Sequence, residues 1–222
     1  MPSPYSHKHL VLFILALAFV VALIQVGVIT VAFDKLGLSP NSAYLLLFAS
    51  LFGSGVNLPV SSIEAEASEH AELPWQFRGL LRQPQRAFEG RTTIAVNVGG
   101  CVIPVAFSAY LLAHHPISLS AVLLATAVVA SVCYAISRPL PGIGIGMPIF
   151  VAPIAAALIA VLMAPHASAP LAYVCGTLGV LIGADLLRLK DVGKMGAPVA
   201  SIGGAGTFDG IFITGIVAVL LS

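Results

Sequence analysis

The sequence predicts an all-α fold, a polytopic transmembrane bundle of about seven helices in which glycine and proline break several segments. Two observations predict it. Only 9% of the 222 residues are charged, against roughly 25% in ordinary soluble domains, while 59% are apolar. Mean hydropathy is +1.03, and charge-free apolar runs of about 20 residues, enough to cross a hydrocarbon core, recur along the whole length. Such a composition excludes disordered, disulfide-framed secreted and nucleic-acid-binding classes. A net charge of +1 implies no strongly charged partner. The expected partner is the lipid bilayer.

The first span is 10–33, whose 24 residues exceed a signal peptide's apolar region; no small-x-small cleavage site precedes Asp34, so it is expected to be retained. The second, 41–60, is interrupted by Gly53, Gly55, Asn57 and Pro59, and the third, 92–113, contains Asn97, Gly99, Gly100 and Pro104. The fourth is 117–137 and the fifth 147–164, separated by a Pro- and Gly-punctuated stretch, 138–148, that regular helix does not tolerate. The sixth is 170–187. The seventh, 198–222, opens on Gly203, Gly204 and Gly206.

Seven spans account for the basic residues. With the N-terminus inside, Lys8, Arg78, Arg82, Arg86, Arg91, Arg138, Arg188, Lys190 and Lys194 are cytoplasmic and only Lys35 is outside, the asymmetry that insertion demands. The C-terminus is then outside. No separate soluble domain is expected, so residues 1–222 form one transmembrane domain. Its one sizeable loop, 61–91, joins an acidic half (Glu64, Glu66, Glu69, Glu72) to the four arginines through Trp75, Phe77, Leu80 and Leu81. An interfacial amphipathic helix fits that pattern best; plain anchoring at the membrane surface is favoured over a role in substrate recognition.

Seven of the nine acidic residues sit in or beside loops; Asp185 and Asp209 do not. A carboxylate at the centre of a bilayer helix costs about 2.5 to 3.5 kcal/mol on insertion scales, so it persists where it faces protein or water. Asp185 precedes Arg188 by three residues, near the cytoplasmic end of its helix. Asp209 reaches the same level if the glycine-rich segment enters as irregular backbone and the helix starts at Thr207 as N-cap. Two such carboxylates share a proton, the condition for aspartyl protease chemistry. The glycines would let a substrate helix unfold against the backbone and add a strand. The plainer readings are that Asp185 snorkels and pairs with Arg188, and that Asp209 caps its helix.

Two families share these residues. Asn97-Val98-Gly99-Gly100 with Pro104, Gly183-Ala184-Asp185-Leu186-Leu187 and the run from Gly203 to Phe212 resemble the signature segments of domain of unknown function 1614, a family of prokaryotic membrane proteins. That resemblance implies a prokaryotic inner (plasma) membrane and no particular activity. More distantly, the last third is similar to presenilin and signal peptide peptidase-like intramembrane proteases, which place one catalytic aspartate in the sixth helix and the other in a Gly-x-Gly-Asp motif on the seventh. The resemblance implies that Asp185 and Asp209 are the catalytic pair and a transmembrane helix the substrate. Here Thr207 and Phe208 separate Gly206 from Asp209, and Ala184 stands where that family has tyrosine.

Gly204, Gly206 and Thr207 are candidate substrate contacts, with Asn97 and Asn57 as polar residues lining the same cavity. A rival function uses the same aspartates as a proton relay in a transporter or channel, because broken helices of opposite direction expose carbonyls to substrates at mid-membrane. The alternative for Asn57 and Asn97 is an interhelical amide bond between closely packed helices. Cys101, Cys133 and Cys175 lack metal or redox spacing and read as small core residues. His114, His115 and His166 read as loop residues with no third ligand, so neither a metal nor a cofactor is expected. No H-E-x-x-H motif and no membrane Ser-His pair occurs.

Overall fold

The computed structural model describes residues 7–25, 27–65, 90–140, 144–196, 198–204 and 210–222. The chain is mostly helical. Helix α1 (His7–Gln25) is followed by α2 (Val28–Lys35) across Gly27, whose φ of +78° interrupts what hydropathy reads as one span. Helix α3 (Pro40–Gly53) begins where Ser39 accepts a hydrogen bond from the Ser42 amide at 3.3 Å, with Pro40 at the first helical position.

From there the all-α expectation is corrected. Strand β1 (Asn57–Glu64) occupies the end of the expected second span, and β2 (Arg91–Asn97) the start of the third. They pair antiparallel from Asn57 opposite Asn97 to Glu64 opposite Arg91, with a bulge at Val60. Strand β5 (Val199–Ile202) joins the other edge of β2 in parallel, giving the order β1-β2-β5. The physical reason is that a hydropathy window counts apolar residues without weighing period. Thr92-Thr93-Ile94-Ala95-Val96 is a short β-branched run, which suits a strand better than a helix. Of the expected loop helix, 66–89 lies outside the described residues; the parts at its ends belong to the hairpin.

The remaining helices follow the apolar runs more closely. After β2 a π-helical turn, Val98–Val102, leads into α4 (Ile103–His114). Helix α5 (Leu119–Ile136) starts on Ser118, which accepts the Ala121 amide at 3.3 Å. Strands β3 (Arg138–Leu140) and β4 (Gly144–Gly146) form a hairpin in the Pro/Gly stretch, and α6 (Val151–Met163) follows. Helix α7 (Ser168–Val180) continues through a second π turn, Leu181–Asp185, and one 3-10 turn into the short α8 (Leu189–Val192). The last helix is α9 (Gly210–Leu221).

Helix α7 is the centre of the bundle, buried from Ala169 to Thr177 and packed against α4, α5, α6 and α9. Small residues allow this. Ala152, Ala156 and Ala160 recur every four residues along the buried side of α6, and an added Cβ on Gly176 would lie 3.2 Å from that of Ala156. Phe107 of α4 meets the fully buried Tyr173 edge to face, with centroids 4.9 Å apart. Outside, the pattern is inverted: Leu45, Leu123 and Leu162 are 72%, 62% and 77% exposed. That exterior suits a hydrocarbon surround. Two continuous helical stretches, Leu119–Ile136 and Pro165–Val192, are long and apolar enough to cross a membrane.

Candidate functional site

Four interruptions of regular structure meet at one end of the bundle: the end of α3, the π turn after β2, the π turn after α7, and the turn that follows β5. A π turn inserts an extra residue into a helix, so it opens the backbone ladder and re-aims the side chains after it. Gly53 and Gly99 bring the first two together. A Cβ on Gly99 would run into the Ser50 carbonyl oxygen and the Ser54 amide, and the Ser50 hydroxyl donates to the Gly99 carbonyl at 2.9 Å.

Asn97 ties this crossing to the sheet. Its side-chain oxygen accepts the Gly100 amide at 2.8 Å, and its amide nitrogen donates to the Ser54 carbonyl at 2.7 Å and to Asn57 Oδ1 at 3.1 Å. Asn57 Oδ1 also accepts the Ser201 hydroxyl at 2.5 Å. Both amide hydrogens of the buried Asn97 are thus committed to the protein. The structure brings Asn57 and Asn97 together as the keystone joining α3, β1, the π turn and β5. Asn97→Ala should lower stability by about 2 to 3 kcal/mol, because it strands the Gly100 amide and the Ser54 carbonyl together. The check is the thermal unfolding midpoint of the purified protein in detergent, with Ser201→Ala as the milder comparison.

Asp185 closes the second π turn. Its Oδ2 accepts the Gly203 amide at 2.7 Å, a short bond across 18 residues of chain. Gly203 has φ +80° and no room for a side chain: a Cβ would lie 2.7 Å from both Cys101 Cβ and the Gly100 carbonyl carbon. On the neighbouring Gly204 it would lie 2.8 Å from Asn97 Cγ. The i+3 pairing of Asp185 with Arg188 is not what forms. Arg188 donates instead to Asp191 at 3.2 Å, to the Tyr134 and Ser137 carbonyls at 2.8 and 2.9 Å, and to the Ser137 hydroxyl, which ties down the end of α5.

Of the residues singled out from sequence, Asp185, Gly204, Asn97 and Asn57 therefore stand in one connected cluster with Gly203. Asp209, Gly206 and Thr207 lie outside the described residues. Ser201, Ser50 and Ser54 belong to the cluster and sequence reasoning missed them; each is a small polar residue inside or beside an apolar run, which was the available signal. Cys101 flanks Gly203, and Cys133 flanks Gly183, where an added Cβ would come within 2.9 Å of the cysteine's own. Cys133 and Cys175 are free thiols. The histidines are elsewhere: His114 stacks on Tyr110 at 4.1 Å, and His115 Nε2 lies 3.3 Å from the Leu36 carbonyl oxygen.

Comparison with curated proteins and with solved structures finds no match. A family model described as "Protein of unknown function (DUF1614)" matches residues 51–221, well over half of the chain. The match takes in Asn57, Asn97, Asp185, Ser201 and Gly203 and leaves out α1 and α2. On that extent, and with the whole cluster inside it apart from Ser50, the chain belongs to the family of domain of unknown function 1614.

Proposed function

We propose that the protein is an intramembrane aspartyl protease-like hydrolase, with Asp185 and Asp209 as its carboxylate pair. One observation carries the reading: the Asp185 carboxylate is bonded to the backbone amide of Gly203, the head of the glycine-rich segment on which Asp209 is the sixth residue further on. In the proposed reaction, the ionised carboxylate takes a proton from water as its oxygen adds to the scissile carbonyl carbon. The protonated carboxyl gives its proton to the carbonyl oxygen. Collapse of the resulting diol breaks the C–N bond: the amine leaves with the proton the first carboxylate had gained, and one diol hydroxyl returns a proton to the second carboxylate, which frees the carboxylic acid and restores the pair.

The sheet supports an extended substrate. Strand β1 has Pro59 and a bulge, devices that blunt an edge against further pairing. Strand β5 has neither, and it leads directly into Gly203. A transmembrane helix unwound next to β5 would find backbone partners there. The topology proposed is the one the basic residues call for, seven spans with the N-terminus inside and the C-terminus outside in a prokaryotic inner membrane. A proton-coupled transporter or channel is the second reading, favoured by the end of α3 meeting the π turn at Gly53 and Gly99, where two interrupted helices cross.

The test is the full chain in proteoliposomes with a single-span reporter helix carrying a Gly-Gly pair at mid-membrane. Fragments cut within the span by wild type, and lost with Asp209→Asn, support the protease. No fragments, but a flux driven by a pH gradient and lost in the same variant, replaces hydrolysis by transport. Neither result in a folded, inserted protein removes both readings.

A further inference from the structure

We propose that the surface formed by Arg138, Lys190 and Lys194 is a binding site for anionic phospholipid headgroups; the inference rests on the chain's spanning a bilayer. The segment after Asp185 changes character within two turns. Leu186 and Leu187 are 44% and 48% exposed. Val192 and Met195 are buried, whereas Lys190 and Lys194 are exposed. The Lys194 and Met195 amides donate to the Asp191 and Val192 carbonyls, each at 3.1 Å, so α8 and the turn beyond it wind on with an apolar inner side and a basic outer side.

The third cation comes from α5. Arg188 holds Ser137 through two hydrogen bonds, to its hydroxyl and its carbonyl, and a third to the Tyr134 carbonyl; Arg138 is the residue after Ser137, exposed at the start of β3. Tyr134 lies beneath the Arg188 guanidinium, 4.3 Å from ring centroid to Cζ, and is 36% exposed. An exposed tyrosine and exposed leucines beside a basic rim mark the level where hydrocarbon gives way to headgroups.

Charge complementarity selects the occupant. Asp191 is engaged by Arg188, and Asp185 by the Gly203 amide. Among the described residues no ion pair takes up Arg138, Lys190 or Lys194. Three cations with no ion pair among the described residues, above an apolar edge, fit a phosphate whose acyl chains lie against that edge, which a freely soluble anion does not supply. Each cation near a membrane surface contributes enough to change affinity about fivefold.

The experiment is native mass spectrometry of the full chain in detergent, titrated with phosphatidylglycerol or phosphatidylcholine of the same acyl chains. Wild type should retain phosphatidylglycerol preferentially, and Lys190→Gln with Lys194→Gln should lose about 25-fold of that preference if the two contributions add. Lys35→Gln, whose ammonium donates to the Val219 and Leu220 carbonyls at the C-terminal end of α9, should leave it unchanged. Equal retention of the two lipids by wild type overturns the site, as does a folded double variant that keeps its preference, or displacement by inorganic phosphate. Should the double variant fail to fold, the wild-type preference read against salt decides: it must fall as ionic strength rises. Resistance of the expressed protein to alkaline extraction from membranes separates the premise from the inference. A resistant chain without headgroup preference sinks only the lipid site, and an extracted one sinks both.

Discussion

On the proposed protease reading, Asp185→Asn should abolish hydrolysis while leaving the fold intact, and Asp185→Ala should abolish hydrolysis and loosen the fold as well. The two variants differ in one atom that matters. The asparagine side-chain oxygen can still accept the Gly203 amide that Asp185 holds at 2.7 Å, so the turn after β5 keeps its anchor. What is lost is a carboxyl able to take up and give back a proton, and general acid–base catalysis of this kind is worth on the order of 10² to 10⁴-fold in rate. Alanine also removes the acceptor, leaving the Gly203 amide against Gly100 and Cys101 with nothing to bond, at a cost of about 1 to 3 kcal/mol. Reporter cleavage and the unfolding midpoint in detergent, measured side by side, check both halves. Residual turnover near wild type in Asp185→Asn would rule out the acid–base role, and equal midpoints for the two variants would show that the carboxylate does not anchor Gly203.

How much of this was legible in the sequence depends on the range of the interaction. Helices α5 and α6 could be read from apolar runs, because that signal is local. The π turn ending at Asp185 could not. A spacing of three residues makes Arg188 the natural partner on a regular helix, but the extra residue in Leu181–Asp185 turns the carboxylate off that line and toward Gly203. Asn97 was visible as a polar residue in an apolar stretch. Its partners were not, since the Ser54 carbonyl and Asn57 are 43 and 40 residues away in the chain, and only the fold brings them there. The strands were missed for a related reason: β2 has strand-forming residues, but its pairing with β1 and β5 is non-local.

The glycines provide the sharpest test of how the site is assembled, because the space at each is so different. Gly183→Ala and Gly99→Ala should each destabilise the protein by about 3 kcal/mol or more, at the severe end of what overpacking a core does. At Gly183 the new methyl would run into the Ala130 carbonyl oxygen, and at Gly99 into the Ser50 carbonyl oxygen and the Ser54 amide. Those obstacles are backbone atoms within or at the end of helices, so no rotamer change relieves them; one helix must move away from the other. Gly176→Ala, facing only the Ala156 methyl at 3.2 Å, should cost less. Gly55→Ala, with its nearest atom the Phe52 carbonyl oxygen at 3.5 Å, should be neutral or slightly stabilising through the stiffer unfolded chain. Fluorescence-detected gel filtration after a heating series ranks the four, and a Gly183→Ala variant as stable as Gly55→Ala would mean that α5 and α7 do not touch at this level. Gly183 also lies two residues before Asp185. Separating α5 from the turn after α7 there displaces the carboxylate from the Gly203 amide, so, on the proposed protease reading, Gly183→Ala protein that survives purification should lose turnover beyond its loss of folded material. A structural contact alone would scale activity with the folded fraction. An extra loss identifies the α5–α7 approach as the part of the fold that holds Asp185 in place.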